Sequence, residues 1–209
     1  MMSEFYSQYG QDQYIYETFF KNKTDGVFVD IGAYDGIKLS NSYFFEKLGW
    51  TGFCFEPVDD AFQKLISNRS HSKCFNCAIG HENKKVQFLK VVGNADMLSG
   101  VLDYYDANHM FRINKETYES NGEQIGIEVE MFTLDHFLPI NSPIDYLSID
   151  TEGGESKILK NILENFNPKI ISVEVNYEAD SKKLFEVLDK QYEVVKNLGC
   201  DLILKDKKW

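Results

Sequence analysis

An α/β fold with a mostly parallel sheet and helices on both faces is what this sequence predicts. Three observations predict it. Short apolar runs alternate with segments of helical periodicity along most of the chain. The strongest runs end in an acid, and in Val27-Phe28-Val29-Asp30-Ile31-Gly32-Ala33-Tyr34-Asp35-Gly36 a glycine-bearing turn follows at once. That is how a buried parallel strand delivers its carboxyl end to a ligand. The chain then closes on two short strand-like runs, 192–196 and 201–205, that read as an antiparallel hairpin.

The elements follow in order. A first helix is expected over 11–21, and residues 1–25 form an N-terminal helical segment. The first strand spans 27–31. A helix over 40–48 is closed by Gly49 as its C-cap. The second strand spans 52–55, and Asp59 or Asp60 caps the next helix, to about residue 67. Strands are expected at 75–79, 86–92 and 127–131, with a short helix over 133–138. Residues 93–126 are polar with weak periodicity and read as an irregular acceptor-side insertion of the kind that forms lids and binding loops. A buried strand over 145–149 ends at Asp150, and Thr151-Glu152-Gly153-Gly154-Glu155 is its turn. A helix over 156–165, a strand over 170–175 and a helix over 181–190 precede the hairpin. No repeat, low-complexity tract or linker interrupts the chain, so residues 1–209 read as a single domain.

Composition narrows the function. The chain has 209 residues, 43% hydrophobic, and a formal net charge of −11. So acidic a surface repels phosphate backbones and anionic lipid, which disfavours nucleic-acid and membrane partners. No Lys/Arg run of five occurs, and no apolar run approaches the roughly 20 residues of a membrane span. The N-terminus lacks the basic start and apolar core of a signal peptide, so a cytoplasmic protein with reduced thiols is expected. Cys74-x-x-Cys77, near His71 and His81, invites a zinc reading. Strand alternation puts the two cysteines on opposite faces, so buried apolar thiols explain them better.

The first turn carries the ligand chemistry. Its glycines are Gly32 and Gly36, which misses the GxGxxG pyrophosphate fingerprint, and no GxxxxGK[ST] phosphate loop occurs. A Gly-x-x-x-Gly turn suits a ligand without phosphates. Asp30 is placed to accept from an ammonium group. Glu56, at the end of the second strand, is placed to accept both hydroxyls of a ribose. S-adenosylmethionine has both an amino group and a ribose.

The landmarks from Phe28 to Gly36, Phe55-Glu56-Pro57, Cys77-Ala78-Ile79-Gly80, Thr133-Leu134-Asp135, and Asp145 through Asp150-Thr151-Glu152-Gly153-Gly154-Glu155 occur in order. With Ser7-Gln8-Tyr9-Gly10-Gln11-Asp12 ahead of them, the chain resembles the FkbM family of S-adenosylmethionine-dependent methyltransferases over nearly its whole length. Tyr34 departs from the pattern, since the family often has Asn there. The resemblance implies a Rossmann-like class I methyltransferase fold and O-methylation, often of sugar or natural-product hydroxyls. It places Asp30 and Gly32 at the cofactor's methionine end, Glu56 on the ribose, and Ala78 and Ile79 near the adenine. Gln8 and Tyr9 would close over the cofactor, and Ser99 would lie in a small-residue turn beside it. Tyr34, Asp35 and Pro57 complete the implied cofactor set.

A sugar hydroxyl is a poor nucleophile and needs a general base or a metal. The acids expected on the same sheet edge are Asp150, Glu152, Glu155 and Glu174. Asp150, Glu174 and Asn176 together form an oxygen set for Mg²⁺ or Mn²⁺, an arrangement that also resembles catechol-type O-methyltransferases. Without a metal, Asp150 or Glu152 is the base, and His109 from the irregular segment is a further catalytic candidate. The expected acceptor is a sugar or glycan hydroxyl. A non-sugar natural product, a nicotinamide-dependent oxidoreductase or epimerase, and a non-catalytic binding module are the alternatives. Glycosyltransferase modules, fused or associated, are the expected protein partners.

Overall fold

The computed structural model describes residues 4–175, 178–188 and 191–209. Helix α1 (Gln11–Ile15) widens into a π-helical turn (Tyr16–Phe20) and leads into β1 (Val27–Ile31). Then come α2 (Tyr43–Lys47), β2 (Thr51–Phe55), α3 (Asp59–Asn68) and β3 (Ser72–Phe75). The middle of the chain holds β4 (Ala78–Ile79), β5 (Lys84–Val92), β6 (Gly100–Val101), α4 (Ala107–Glu119) and β7 (Glu123–Phe132). The last third holds β8 (Tyr146–Ile149), α5 (Glu155–Asn165), β9 (Ile170–Glu174), α6 (Glu178–Leu188), β10 (Tyr192–Leu198) and β11 (Asp201–Asp206).

The main sheet has seven strands in the order β10-β11-β9-β8-β1-β2-β3. The pairs β9/β8, β8/β1, β1/β2 and β2/β3 are parallel, and the closing hairpin is antiparallel. Strand order therefore reverses at β1, with β2 on one side and β8 on the other, so a crevice opens where the first turn leaves the sheet. Alternation sends Val29, Ile31, Leu147, Ile149, Ile171 and Val173 into a core shared with α5 and α6. Phe28, Cys54, Tyr146 and Ile170 point the other way, into an aromatic core with Phe20, Phe44, Phe45 and Trp50. No helix among the described residues is long and apolar enough to cross a membrane.

The structure corrects several expected elements. The single strand over 75–79 is two: β3 ends at Phe75, and β4 joins a second sheet of order β4-β7-β5-β6. The break is local chemistry. The Asn76 side-chain amide donates to the carbonyls of Glu56 at 3.0 Å and Pro57 at 3.3 Å, turning the chain out of the main sheet. Neither Asp59 nor Asp60 caps α3; both lie in its first turn, after Val58. Residues 93–126 are not irregular throughout. They carry β6 and the 13-residue α4, whose N-cap Asp106 accepts the amides of Asn108 and His109 at 2.9 and 2.8 Å. The expected helix over 40–48 is only the five residues of α2; Ser40 Oγ ahead of it accepts the amides of Ser42 and Tyr43 at 3.2 and 3.1 Å as well as the Arg69 guanidinium.

Candidate active site

Off the carboxyl ends of β1, β2 and β8 lies a cavity of about 480 Å³, within the usual range for small-molecule sites. Glu56 forms one wall. Its Oε2 accepts the Tyr34 amide at 3.0 Å and its Oε1 the Val58 amide at 2.8 Å, so two backbone turns hold the carboxylate in place. Burial nevertheless raises its pKa to about 7. Each oxygen keeps a second lone pair for a ligand hydroxyl. Gly32, Tyr34, Pro57, Ala78 and Ile79 line the cavity around it, as do Gln8, Tyr9 and Ser99.

Gly32 has a geometric requirement. At φ 87° it occupies the left-handed region, and a Cβ there would meet the Asp150 carbonyl oxygen at 1.7 Å. The turns after β1 and β8 thus touch, which brings Asp150 beside the first turn. Tyr34 follows at φ 48°, with its hydroxyl on Asp96 at 2.6 Å. That region suits Asn better than Tyr, and the bond to Asp96 helps to hold Tyr34 there.

The opposite wall is acidic. Asp150, Glu152 and Glu174 all line the cavity, and one carboxylate oxygen of each lies within 4.8 Å of the others. Glu152 is itself held in the left-handed region at φ 55°. Burial and the neighbouring Asp150 charge raise its pKa to about 8. Asp150 is pushed well above the usual carboxylate range by burial and by Glu174, Asp201, Glu155 and Asp30. Glu174 shifts the same way, by burial and by Glu152, Glu155 and Asp201. Glu155 is occupied otherwise: it accepts Thr151 Oγ1 at 2.9 Å and the Gly153 amide at 2.7 Å, shaping the turn. Arg112 reaches in from α4, with its guanidinium 3.4 Å from Glu152 and 2.9 Å from Glu116.

Three sequence-predicted residues lie elsewhere. Asp30 shares the face of Phe28, so its carboxylate points away from the cavity, onto Ser42 Oγ at 2.5 Å and Arg69 at 3.6 Å. Asp35 folds back on its own turn, accepting the Ile37 and Lys38 amides at 2.9 and 2.8 Å. His109 sits in the first turn of α4, stacked on Tyr105, with Nε2 3.8 Å from Glu152. It stands behind the acid and does not line the cavity. Asn176, expected as a metal ligand, lies outside the described residues; Glu152 stands with Asp150 and Glu174. Cys74 and Cys77 belong to no metal-ligating group among the described residues. Arg112 and Cys200 also line the cavity and carried no role in the sequence reading. An acid-rich edge needs a counter-charge, and Arg112, a cation in an otherwise acidic and polar segment, was the signal for it.

A family model described as the methyltransferase FkbM domain matches residues 30–197. No curated protein matches the chain significantly. Among solved structures, a putative rRNA-methylase from Clostridium thermocellum is similar, with a TM-score of 0.51 and 13% identity, covering 97% of each chain. A TehB-like SAM-dependent methyltransferase from Corynebacterium glutamicum has a TM-score of 0.47 and 8% identity, covering 96% of this chain and 89% of its own. At such identities the likeness concerns the fold, which is Rossmann-like.

Proposed function

The chain belongs to the FkbM methyltransferase domain family, and from that premise we propose that it O-methylates a hydroxyl of a sugar, free, activated or glycan-linked, with S-adenosylmethionine as donor. One observation carries the reading: a single cavity joins Glu56, suited to a ribose, to Asp150, Glu152 and Glu174. The family premise sets aside the nicotinamide-dependent oxidoreductase.

The donor fits the residues present. Glu56 is an anchored carboxylate with free lone pairs for a ribose diol. Ala78 and Ile79 offer a small apolar wall for a flat base. Gln8 and Tyr9 cover the cavity from the N-terminal side. When bound, S-adenosylmethionine supplies a sulfonium-activated methyl group, so the protein's main task is to align and deprotonate the acceptor.

An oxygen acceptor is favoured because three carboxylates converge where the methyl would be transferred. A neutral amine is nucleophilic without losing a proton first, whereas the oxygen of a hydroxyl is not. A hydroxyl needs a group to accept its proton, and the carboxylates of this wall supply one, Glu152 among them while no cation is bound to it. Carboxylates only accept hydrogen bonds when ionised, which suits a hydroxyl-rich sugar. The net charge of −11 disfavours an RNA acceptor.

Calorimetry should find micromolar binding of S-adenosylmethionine or its demethylated product, and absence of both would end the proposal. Labelled methyl transfer onto a panel of deoxysugars and their glycosides then identifies the hydroxyl. Asp150→Asn should abolish turnover and leave donor affinity within about twofold. Equal loss of both would make Asp150 a donor-binding residue instead.

A further inference from the structure

The geometry points to a binding site for one hard divalent cation, of the Mg²⁺ or Mn²⁺ class, formed by Asp150, Glu152 and Glu174. Two oxygens on one Mg²⁺ are at most twice the metal–oxygen distance apart, about 4.2 Å. The three carboxylates come within 4.8 Å of one another, so small rotamer adjustments close the set.

A second observation is independent of the clustering. Glu174 is only 9% exposed, and its Oε2 is buried with no hydrogen-bond partner among the described residues. Its other oxygen accepts from the Cys200 thiol at 3.6 Å. A buried carboxylate oxygen without a donor is costly and calls for a partner. The positive charge at hand is Arg112, which is already divided between Glu152 and Glu116. Oxygen-only ligands select a hard cation over a soft one.

The ligand set adds Glu152 to the Asp150 and Glu174 read in the sequence. The strained turn explains how: at φ 55°, Glu152 is turned back towards Asp150, two residues earlier. The purpose of the site rests on the proposed hydroxyl chemistry, because a cation here lowers the pKa of a bound alcohol. Its existence does not depend on that chemistry.

The test uses the full chain, stripped with chelator and dialysed, and Mn²⁺ alone without donor or acceptor. Loss of the free Mn²⁺ electron-paramagnetic-resonance signal should show one saturable site per chain with a micromolar Kd, displaced by Mg²⁺. Glu152→Gln and Glu174→Gln, each checked for folding by circular dichroism, should weaken binding at least tenfold. Glu164→Gln, on the exposed face of α5, should not change it. No saturable binding up to millimolar Mn²⁺, or full binding in the Glu152→Gln/Glu174→Gln double variant, overturns the proposal. Mn²⁺ binding without methyl transfer to any sugar would uphold the site and refute the acceptor assignment. Methyl transfer in excess chelator, by a chain that takes up no Mn²⁺, would do the reverse.

Discussion

Glu56 accepts the amides of Tyr34 and Val58 and still faces the cavity, and that double duty gives it a titration to read. Its pKa is raised to about 7 against an ordinary 4.5, with burial the largest cause. The folded chain therefore binds a proton more tightly at Glu56 than the unfolded chain does. Glu56 contributes stability that is fully present below pH 4.5 and is lost as pH rises through 7. Donor binding has the opposite slope, because a ribose diol donates to the ionised form. With one proton displaced, the apparent Kd should be about tenfold weaker at pH 6 than at pH 8. Glu56→Gln should flatten that slope and weaken binding by about 1–3 kcal/mol, as calorimetry at the two pH values would show. A slope unchanged in Glu56→Gln would assign the titration to another group. Glu56 was readable because an acid ending an apolar run is conspicuous. Asp30 was equally conspicuous and was misplaced. Strand parity, applied from Phe28, puts its side chain on the far face of the sheet, where Arg69 holds it.

Helix α4 is the element on which the acidic wall of the cavity depends, since it carries both Arg112 and His109 to Glu152. Its inner face is narrow: His109, Ile113 and Thr117 are buried, while Phe111 and Tyr118 face outward. An apolar stripe that thin escapes a periodicity reading, so 93–126 looked irregular. The capping signal at Asp106 was present and would have found the start of the helix. The parallel strands were legible because burial on both faces leaves unbroken apolar runs, whereas the split of 75–79 turned on the hydrogen bonds of one amide, Asn76. A cap that fixes the first turn should also fix what that turn carries. Asp106→Ala should cost about 0.5–2 kcal/mol of helix stability. Hydrogen exchange should accelerate over Ala107–Glu119, with the β5–β7 ladder still protected. Uniform acceleration through both would show that α4 does not open independently.

Across the whole molecule, the loops that follow β1 are tied to the sheet by one buried cation. Arg69, at the end of α3, is 1% exposed. It donates to Gly36 O at 2.5 Å, Ser40 Oγ at 2.7 Å and Ser42 Oγ at 2.8 Å, and pairs with Asp30 at 3.6 Å and Glu46 at 3.4 Å. The first turn, the following loop, α2 and β1 thus converge on one residue at the end of α3. Nothing local in the sequence marks Arg69, because its partners are brought together only by the β1/β2/β3 register. In a chain of net charge −11, a buried arginine between two acids has few substitutes. Removing it leaves two carboxylates uncompensated, and that penalty exceeds the loss of the pair itself. Arg69→Met, which keeps most of the apolar stem, should destabilise the protein by about 3–5 kcal/mol. At about 2–4 °C per kcal/mol for a chain of this size, Tm should fall by roughly 6–20 °C. Arg69→Met combined with Asp30→Asn and Glu46→Gln should recover much of the loss, since no buried charge then lacks a partner. Urea denaturation of the three proteins measures the free energies, and thermal denaturation the Tm. A single variant within about 1 kcal/mol of wild type would mean that water reaches Asp30 and Glu46 freely, and that the loops over the cavity are held by packing alone.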